Sequence, residues 1–220
     1  MDKLSPQMED YLKAVYLIRE RADSVTTTAI ATALSVTPAS VTGMIKKLAE
    51  LKLVRHTPYQ GVELSKSGEK IALEIVRHHR LLELFLIEAL GYSWDEVHAE
   101  ADVLEHVISE EFEERVAARL GYPVVDPHGD PIPAKDGTIT AVAQQALLQL
   151  AIGCSATITR VSDRNSAMLR YAAELGLRPG VRVTLIGAEP FGGSLRLKIG
   201  RAECTIGREL AAQVFVTINE

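Results

Sequence analysis

The sequence has few of the features that mark exported or membrane-spanning proteins. Its 220 residues include two cysteines, Cys154 and Cys204, which lie far apart in strand-like sequence. A disulfide framework is therefore not expected, and a reducing cytoplasm is the predicted compartment. The most apolar run, Leu81 to Leu90, is interrupted by Glu83 and Glu88, and no charged segment leads into an apolar stretch near the N-terminus. We therefore expect no membrane span and no secretion signal.

Aromatic residues are also scarce, at 5%, while hydrophobic residues make up 47% of the chain, as in ordinary globular proteins. The formal net charge is −5, but residues 71–120 hold 4 Lys+Arg against 12 Asp+Glu, a local charge of −8. Such acidity is costly to pack unless cations neutralise it, which favours metal binding in the middle of the chain. The acidic balance does not exclude DNA binding, because that needs only a local basic patch.

One helix-like stretch in this acidic segment carries four side chains that can bind metal. His98, Asp102, Glu105 and His106 stand at offsets of 0, 4, 7 and 8 residues, which places them on one face of a helix. Eight residues of helix span roughly 12 Å, which is too far for two ligands of one ion. Asp102, Glu105 and His106 are therefore interpreted as part of one site, and His98 as part of another.

A second pair at helical spacing, His79 and Glu83, can complete the site of His98. The alternative interpretation is a solvated, acidic helix face with incidental histidines, which is the usual meaning of a glutamate-rich helix. Against it, four of the six histidines fall between positions 78 and 106, and they recur at this spacing on two predicted helices. Metal binding is the favoured interpretation.

The N-terminal region predicts a helix-turn-helix. Its first helix, over residues 5–22, opens with Ser5 and Pro6, a capping residue followed by proline at the first turn. A short helix then ends near Leu34, and Thr37 caps a longer one. That longer helix begins with small polar residues, as DNA-recognition helices do, and the residues that we expect to reach DNA are Thr37, Ala39, Ser40, Thr42 and Lys46. An ordinary helical hairpin is the alternative for two bare helices.

The residues that follow favour DNA binding over a simple hairpin. The segment R-H-T-P-Y-Q-G-V-E-L-S-K-S-G, which starts at Arg55, predicts two short strands around a turn and then a new helix. This is the pattern of a winged helix. The recognition helix would enter the major groove, and the wing, with Arg55, His56, Tyr59 and Gln60, would lie along a phosphate backbone.

The next segment predicts three helices, over residues 66–90, 93–108 and 109–120. The first of them has more apolar surface than a small winged helix needs for its own core. Such surface suits a dimerisation layer, although packing of these helices within one chain would also bury it.

A proline-rich stretch separates these helices from the C-terminal region. Four of the nine prolines lie between Tyr122 and Pro133, which predicts irregular structure over residues 121–137. His128 in this stretch is interpreted as a structural loop residue. A helix is predicted over residues 140–150, and the short alternating strands after it, with one helix over residues 167–175, predict a small β-barrel.

Together these segments resemble the diphtheria-toxin-repressor family of metal-dependent transcriptional regulators, nearer its manganese-responsive branch. The resemblance covers essentially the whole chain and is carried, in order, by M-E-D-Y-L, V-T-P-A-S-V-T-G-M-I-K-K-L, R-H-H-R-L-L-E-L-F, V-H-A-E-A-D-V-L-E-H-V, D-P-H-G-D-P-I-P, E-L-G-L-R-P-G and F-G-G-S-L-R-L-K-I-G. It implies a mainly α protein with a small β domain. The implied domains are a winged helix-turn-helix over residues 1–70, a helical metal-binding and dimerisation domain with a Pro-rich linker over 71–137, and an SH3-like β-barrel over 138–220.

The resemblance also implies two metal sites in each chain. The residues that match the primary, activating site are Asp10, Asp102, Glu105 and His106. The residues that match the ancillary site are His79, Glu83 and His98, and the barrel can add a ligand there, for which we choose Asp163.

The chain departs from both branches of the family at particular positions. The iron-responsive branch has sulfur-bearing residues where this chain has Asp10 and Asp102. The manganese-responsive branch has a carboxylate where this chain has Lys13, while His98 is more typical of iron-type members. The chain thus combines features of both, and the resemblance leaves open whether its two ions are separated or share bridging carboxylates.

The leading hypothesis is a homodimeric repressor that controls metal-ion homeostasis and binds double-stranded DNA at a pseudo-palindromic operator. Mn²⁺ is the expected effector, with Fe²⁺ as the alternative, and we expect no enzymatic activity. A metallohydrolase is a rival class, but no nucleophile or Gly-rich loop accompanies the metal ligands, and an enzyme has no evident use for a winged helix and a barrel. A metal-independent winged-helix interaction module is a third class, which measurement of bound metal would distinguish.

Overall fold

The computed structural model describes residues 4–57, 61–140 and 143–218. Their contacts divide the chain into two compact units, each described by itself below. The first unit comprises Met1–His79, Val103–Glu110 and Pro133–Thr138. The second unit comprises Arg80–Asp102, Glu111–Ile132 and Ile139–Glu220.

The first unit begins with helix α1, Pro6–Arg19. Ser5 caps this helix, because its side chain accepts a hydrogen bond from the Met8 amide, and Pro6 occupies the first turn, where a missing N–H costs nothing. The helix ends three residues before the predicted boundary at residue 22. Its buried face includes Tyr11, Leu12 and Val15, which form part of the core of this unit.

Helices α2, Thr27–Ala33, and α3, Pro38–Glu50, form the predicted helix-turn-helix. The turn between them places Ser35 in the left-handed region, with φ of 53°. Thr37 caps α3 by accepting a hydrogen bond from the Ser40 amide. The apolar face of α3 is buried, through Val41, Ile45 and Leu48, so the polar residues between them face outward.

The wing is an antiparallel pair of strands, β1, Val54–Thr57, and β2, Gly61–Leu64. Tyr59, which we predicted to contact DNA, lies outside the described residues. The winged helix predicted from the sequence is confirmed. It leads directly into helix α4, Lys66–Leu90, whose start passes so close to the preceding chain that a Cβ at Gly68 would lie 2.0 Å from the Leu53 carbonyl oxygen.

Two shorter helices follow α4, namely α5, Val97–Leu104, and α6, Glu110–Arg119. Both lie within the longer spans predicted for them. In the second unit, Leu81, Val116, Ala117 and Ile132 form a small buried cluster.

The larger core of the second unit lies in the C-terminal β domain. Its strands are β3, Gln145–Ala146, β4, Ser155–Val161, β5, Arg182–Ala188, β6, Leu195–Ile199, β7, Ala202–Ile206, and β8, Val214–Ile218. They pair antiparallel in the order β3-β8-β4-β5-β6-β7. Helices α7, Ser166–Glu174, and α8, Arg208–Gln213, complete the domain. This is the SH3-like β domain that the resemblance implied.

The helix predicted over residues 140–150 is wrong. Within the described part of that range, Gln145 and Ala146 pair with β8, and Leu147–Gln149 form a single 3-10 turn. Leu147 and Leu150 are buried in the β-domain core. Pairing with a neighbouring strand and burial of two leucines thus override the local helical pattern of this segment.

The fold bears on the predictions about disulfide bonds and membrane-spanning helices. Cys154 and Cys204 are both free thiols, half-buried in the β domain, so the expected absence of a disulfide between them is correct. Within the described residues, no single helix is long and apolar enough to cross a membrane, and only α2 and α3 together, bent by 108°, meet that length and composition.

Candidate functional site

Three predicted metal ligands meet in the first unit: Asp10, Glu105 and His106, called here the first cluster. Asp10 lies on α1, and the other two follow the end of α5. Each offers a ligand atom within 4.8 Å of the others. The Nε2 atom of His106 lies 2.9 Å from Oδ1 of Asp10 and 3.5 Å from Oε1 of Glu105. Residues 95 positions apart in the chain, such as Asp10 and Glu105, are thereby brought to one point.

Glu9 orients the imidazole of the first cluster. Its Oε2 atom lies 2.7 Å from Nδ1 of His106, which donates to it. Metal-binding histidines commonly donate their second ring nitrogen to a carboxylate, which fixes the tautomer and points the first nitrogen at the ion. The sequence analysis missed Glu9, and the only available signal was that it precedes Asp10 directly. Nε2 of His106, facing Asp10 and Glu105, is therefore the nitrogen that suits a metal ion.

Lys13 is a second residue that the sequence analysis did not place in the site. Its Nζ atom donates to both carboxylate oxygens of Glu105, at 2.8 and 3.0 Å, and lies 3.0 Å from Nδ1 of His79. The same Nδ1 lies 2.5 Å from Oε2 of Glu105. His78 adds a hydrogen bond from its ring to the Glu105 backbone carbonyl, at 3.0 Å. Glu105, only 1% exposed, is thus held by three neighbouring side chains.

Burial governs the electrostatics of the first cluster. Burial raises the pKa of Asp10, and the neighbouring His106 opposes that change without cancelling it. Because a divalent cation stabilises the ionised carboxylate, metal binding would lower the pKa of Asp10 again. The donor atoms are carboxylate oxygens and one imidazole nitrogen, and the Asp10 side chain is 43% exposed. The cluster therefore fits a hard divalent cation that enters from the Asp10 side.

A second cluster forms within the second unit around Glu83, with His98, His128 and Asp163. Nδ1 of His98 lies 3.0 Å from Oε1 of Glu83 and 3.7 Å from Oδ2 of Asp163. Glu83, His128 and Asp163 also offer ligand atoms within 4.8 Å of one another. The structure thus brings together Glu83 and His98, which the resemblance implied, and Asp163, which we chose as the barrel ligand, and it adds His128. His79, the remaining predicted member, lies in the first unit, four residues before Glu83 on α4.

His128 has a larger role than the loop residue that the sequence analysis took it for. It is fully buried, its Nε2 donates to the Trp94 carbonyl at 3.0 Å, and its ring stacks on the Trp94 indole. Nδ1 lies 3.5 Å from Oε2 of Glu83. Burial by itself would lower the pKa of His128, but the hydrogen bond and charge of Glu83 raise it to about 9. No sequence spacing links His128 to Glu83, because they are joined only by the fold.

Asp102 belongs to the second unit, whereas Asp10, Glu105 and His106 belong to the first. Its side chain is 48% exposed, and Oδ2 lies 3.6 Å from Nε2 of His98, one helical turn away. Its assignment to the primary site stays a prediction.

The predicted DNA-contacting residues of α3 share one exposed surface. The members of this surface are Thr37, Ala39, Ser40, Thr42 and Lys46. The hydroxyl groups of Thr37 and Ser40 lie 2.9 Å apart, and the Thr42 hydroxyl donates to the Pro38 carbonyl at 3.0 Å. All of these groups stand at the helix N-terminus, where backbone N–H groups also face outward and favour phosphate.

Family models match three successive parts of the chain. Residues 3–62 match the iron dependent repressor N-terminal DNA binding domain. Residues 65–134 match the iron dependent repressor metal binding and dimerisation domain, and residues 145–218 match the FeoA domain.

Relatives with described functions extend over most or all of the chain. The iron-dependent repressor IdeR of Mycobacterium tuberculosis is 29% identical over 98% of this chain and 99% of its own length. The HTH-type transcriptional regulator MntR of Geobacillus kaustophilus is 34% identical over 54% of this chain and 83% of its own length. A solved structure of a manganese-dependent transcriptional repressor complex with manganese covers 96% of this chain and 100% of its own, with 38% identity and a TM-score of 0.90.

Proposed function

This chain belongs to the diphtheria-toxin-repressor family of metal-dependent transcriptional regulators, and we propose that Mn²⁺ switches on its binding to DNA. The observation that carries the proposal is the first cluster. In this cluster Asp10, a residue of the winged helix, lies close to Glu105 and His106, and Glu9 orients the His106 ring. The distances are short enough for one ion to bind all three ligands after small movements.

The donor set supports Mn²⁺ as the effector. Carboxylate oxygens suit hard ions such as Mn²⁺, whereas softer ions gain most from thiolate or thioether ligands. Intrinsic affinity still rises from Mn²⁺ through Fe²⁺ toward Cu²⁺, so the proposal is that Mn²⁺ at cellular availability produces the active geometry. The identity of 38% to a manganese-dependent repressor, against 29% to an iron-dependent one, supports the same choice. Fe²⁺ remains the alternative effector.

We assign two ions to each chain. The first binds at Asp10, Glu105 and His106, with Asp102 as a further ligand. The second binds around Glu83, with ligands drawn from His79, His98, His128 and Asp163. Support for the second site comes from the close approach of four of these side chains in the second unit, at 3.0 to 3.7 Å.

Metal would act by fixing part of the DNA-binding domain. Asp10 belongs to α1 of the winged helix, and Glu105 and His106 belong to the segment after α5. An ion bound by all three residues would fix the position of α1 relative to the segment after α5. In a homodimer, this would also fix the distance between the two recognition helices. Two recognition helices related by a two-fold axis require a pseudo-palindromic operator. Because metal favours the DNA-binding arrangement, DNA must tighten metal binding by the same factor.

The roles of the α3 residues follow from their chemistry. We propose that Ser40 and Thr42 reach base edges, that Thr37 and the adjoining N–H groups bind a phosphate, and that Lys46 contacts the phosphate backbone through its charge. Ala39 can approach a thymine methyl group, and Tyr59 of the wing can contact the phosphate backbone. The domain boundaries proposed at residues 70 and 137 separate this machinery from the dimerisation helices and the β domain, and the cytoplasm is the proposed compartment.

The decisive experiment measures DNA affinity with and without metal. An operator-like site is selected from random duplexes in Mn²⁺, and its dissociation constant is then measured in Mn²⁺ and in chelator. We expect at least a tenfold loss of affinity in chelator, and the same loss in Mn²⁺ for His106→Ala. The control Glu203→Ala, which changes an exposed residue of the β domain, should keep both the affinity in Mn²⁺ and the metal response. Equal affinity in Mn²⁺ and in chelator would overturn the proposal.

A further inference from the structure

Lys13 places a positive charge inside the first cluster. Its side chain is 12% exposed, and the Glu105 carboxylate that it binds is 0% exposed. A lysine rarely leaves water unless its ammonium group is paired, and this one donates to both oxygens of Glu105 and lies 3.0 Å from Nδ1 of His79. It therefore occupies a cation position surrounded by the same groups that would bind a metal.

The two oxygens of Glu105 lie on different sides of the cluster. Oε1 lies 3.5 Å from Nε2 of His106, on the side of Asp10. Oε2 lies 2.5 Å from Nδ1 of His79. A carboxylate in this position can bridge two metal ions, one on each side. The ammonium group of Lys13 donates to both oxygens, at 2.8 Å to Oε2 and 3.0 Å to Oε1, and lies 3.0 Å from Nδ1 of His79, where an ion on the His79 side would bind.

Charge balance leads to the same result. Three carboxylates, from Glu9, Asp10 and Glu105, surround His106, and together they carry a formal charge of −3 when ionised. Lys13 reduces that charge by one. Without Lys13 the site would carry one more negative charge after it had bound one ion, and a second cation would be attracted to it more strongly.

We propose that the ammonium group of Lys13 takes the place of a second divalent ion on the His79 side of Glu105, so that the first cluster binds one metal ion and not two. The inference rests on the proposed function, because it requires a metal ion at Asp10, Glu105 and His106. It makes Lys13 the residue that sets the number of ions at this site. His79 then contributes to the site as a partner of this built-in cation.

The test counts Mn²⁺ ions in folded protein and asks whether two of them are neighbours. Native mass spectrometry of Mn²⁺-loaded protein gives ions per chain, and electron paramagnetic resonance distinguishes isolated Mn²⁺ from an exchange-coupled pair. We expect Lys13→Met and Lys13→Glu to bind one more ion per chain than the unaltered protein and to show the coupled signal. Lys13→Arg, which keeps the charge, should retain the original count and the uncoupled spectrum.

Two controls keep the result interpretable. Lys70→Met removes one lysine charge from an exposed position of α4, and it should change neither the count nor the spectrum. Because Lys13→Met leaves the buried Glu105 without its ammonium partner, that variant is purified in Mn²⁺, and its folding is checked by circular dichroism. If it does not fold, Lys13→Glu gives the same readout, since its new carboxylate can itself bind the second ion.

The outcomes separate this inference from the proposed function. An unchanged ion count and an uncoupled spectrum in Lys13→Met and Lys13→Glu would overturn the role of Lys13 alone. A coupled pair already present in the unaltered protein would overturn it too, because the metal would then have displaced the ammonium group. If instead His106→Ala left Mn²⁺ binding unchanged in the unaltered background, the proposed first site itself would be wrong.

Discussion

At the scale of single residues, the buried carboxylate of Glu105 explains why the first cluster contains the ammonium group of Lys13. An ionised carboxylate that is 0% exposed is strongly penalised by the loss of water unless charge and hydrogen bonds replace it. In this chain Lys13 and His79 provide that replacement, and the proposed metal ion would lie toward His106 and Asp10. The strength of metal binding should therefore depend on the groups on that side.

Replacing Asp10 tests whether ligand type sets the choice of metal. We expect Asp10→Met to weaken Mn²⁺ binding by about tenfold or more, the consequence of losing one charged oxygen ligand worth roughly 1.4 kcal/mol or more. Binding of softer ions such as Cu⁺ or Cd²⁺ should weaken less, because a thioether suits them better. Isothermal titration with each metal measures both effects. Asp23→Met, at an exposed position outside the cluster, is the control. Equal losses for Mn²⁺ and Cd²⁺ would show that ligand type is not the cause.

His128 predicts how stability changes with pH in the metal-free protein. Its folded-state pKa is about 9, above the usual value of 6.5, because Glu83 stabilises the charged ring despite its burial. A raised pKa contributes stability that is fully present below pH 6.5 and is lost as the pH rises through 9. We expect the free energy of unfolding to fall by about 3 kcal/mol at most over this range.

Urea denaturation in chelator at pH 6, 7.5 and 9.5 measures this loss. Because the buried Asp126 also has a pKa raised to about 8, His128→Gln should reduce the pH dependence without abolishing it, while His56→Gln, at an exposed position, should leave it unchanged. A free energy of unfolding that stays constant or rises between pH 6.5 and 9 would contradict the assigned coupling between His128 and Glu83.

At the scale of elements, α3 combines a buried apolar face with an exposed polar start. The cap at Thr37 and the proline after it fix where the helix begins, and burial of Val41, Ile45 and Leu48 fixes which face turns outward. The local sequence therefore predicted both the helix and its exposed residues. The Thr37 cap should contribute about 1 kcal/mol to stability, so substitutions there are poor probes of DNA contact.

Lys46 and Thr42 are better probes, because they should affect DNA binding in different ways. Lys46→Ala is expected to weaken binding to all sequences and to reduce the slope of log affinity against log salt by about 1. Thr42→Ala should instead change preference at one base position, by about 1–3 kcal/mol. Fluorescence anisotropy over a salt series, with single-base operator variants, separates the two. Lys47→Ala, on the same helix, is the control, and an unaltered salt slope for Lys46→Ala would remove Lys46 from the interface.

The segment over residues 143–150 shows where local sequence misleads. Its alanines and leucines favour a helix, so the local sequence predicts one. In the structure, however, Gln145 and Ala146 pair with β8, and Leu147 and Leu150 are buried in the β-domain core. The strand that decides this pairing, Val214–Ile218, lies at the other end of the domain sequence. No window of local residues contains that partner.

At the scale of the whole molecule, the proposed regulator must be a dimer, and exposed apolar residues indicate a surface for it. In the first unit, Val103 and Val107 stand four residues apart and are 66% and 68% exposed. Burying an exposed valine in an interface gains roughly 1.5 kcal/mol or more. We therefore expect Val107→Glu to raise the dimer dissociation constant by at least tenfold.

Sedimentation equilibrium of the Mn²⁺-bound protein tests this expectation. Ile152→Glu, which changes a residue that is 62% exposed in the second unit, should leave the dissociation constant unchanged. DNA affinity for the full operator should fall with Val107→Glu, because a monomer reaches only one half-site. Equal dissociation constants for Val107→Glu and the unaltered protein would place the dimer surface elsewhere.

The amino-acid sequence by itself determined the features that depend on neighbours along the chain. It predicted the caps and exposed face of α3, the span of α4, the free cysteines, and the ligand pairs at helical spacing, because capping and periodicity act within a few residues. The tertiary structure alone decided which distant polar and charged groups come together. Three such contacts join separate elements: Glu9 with His106, Lys13 with Glu105, and His128 with Glu83. Each of these contacts depends on which helix faces pack together and exclude water, which is a property of the whole fold. A charged group that is buried by this packing is stable only if it lies next to a partner.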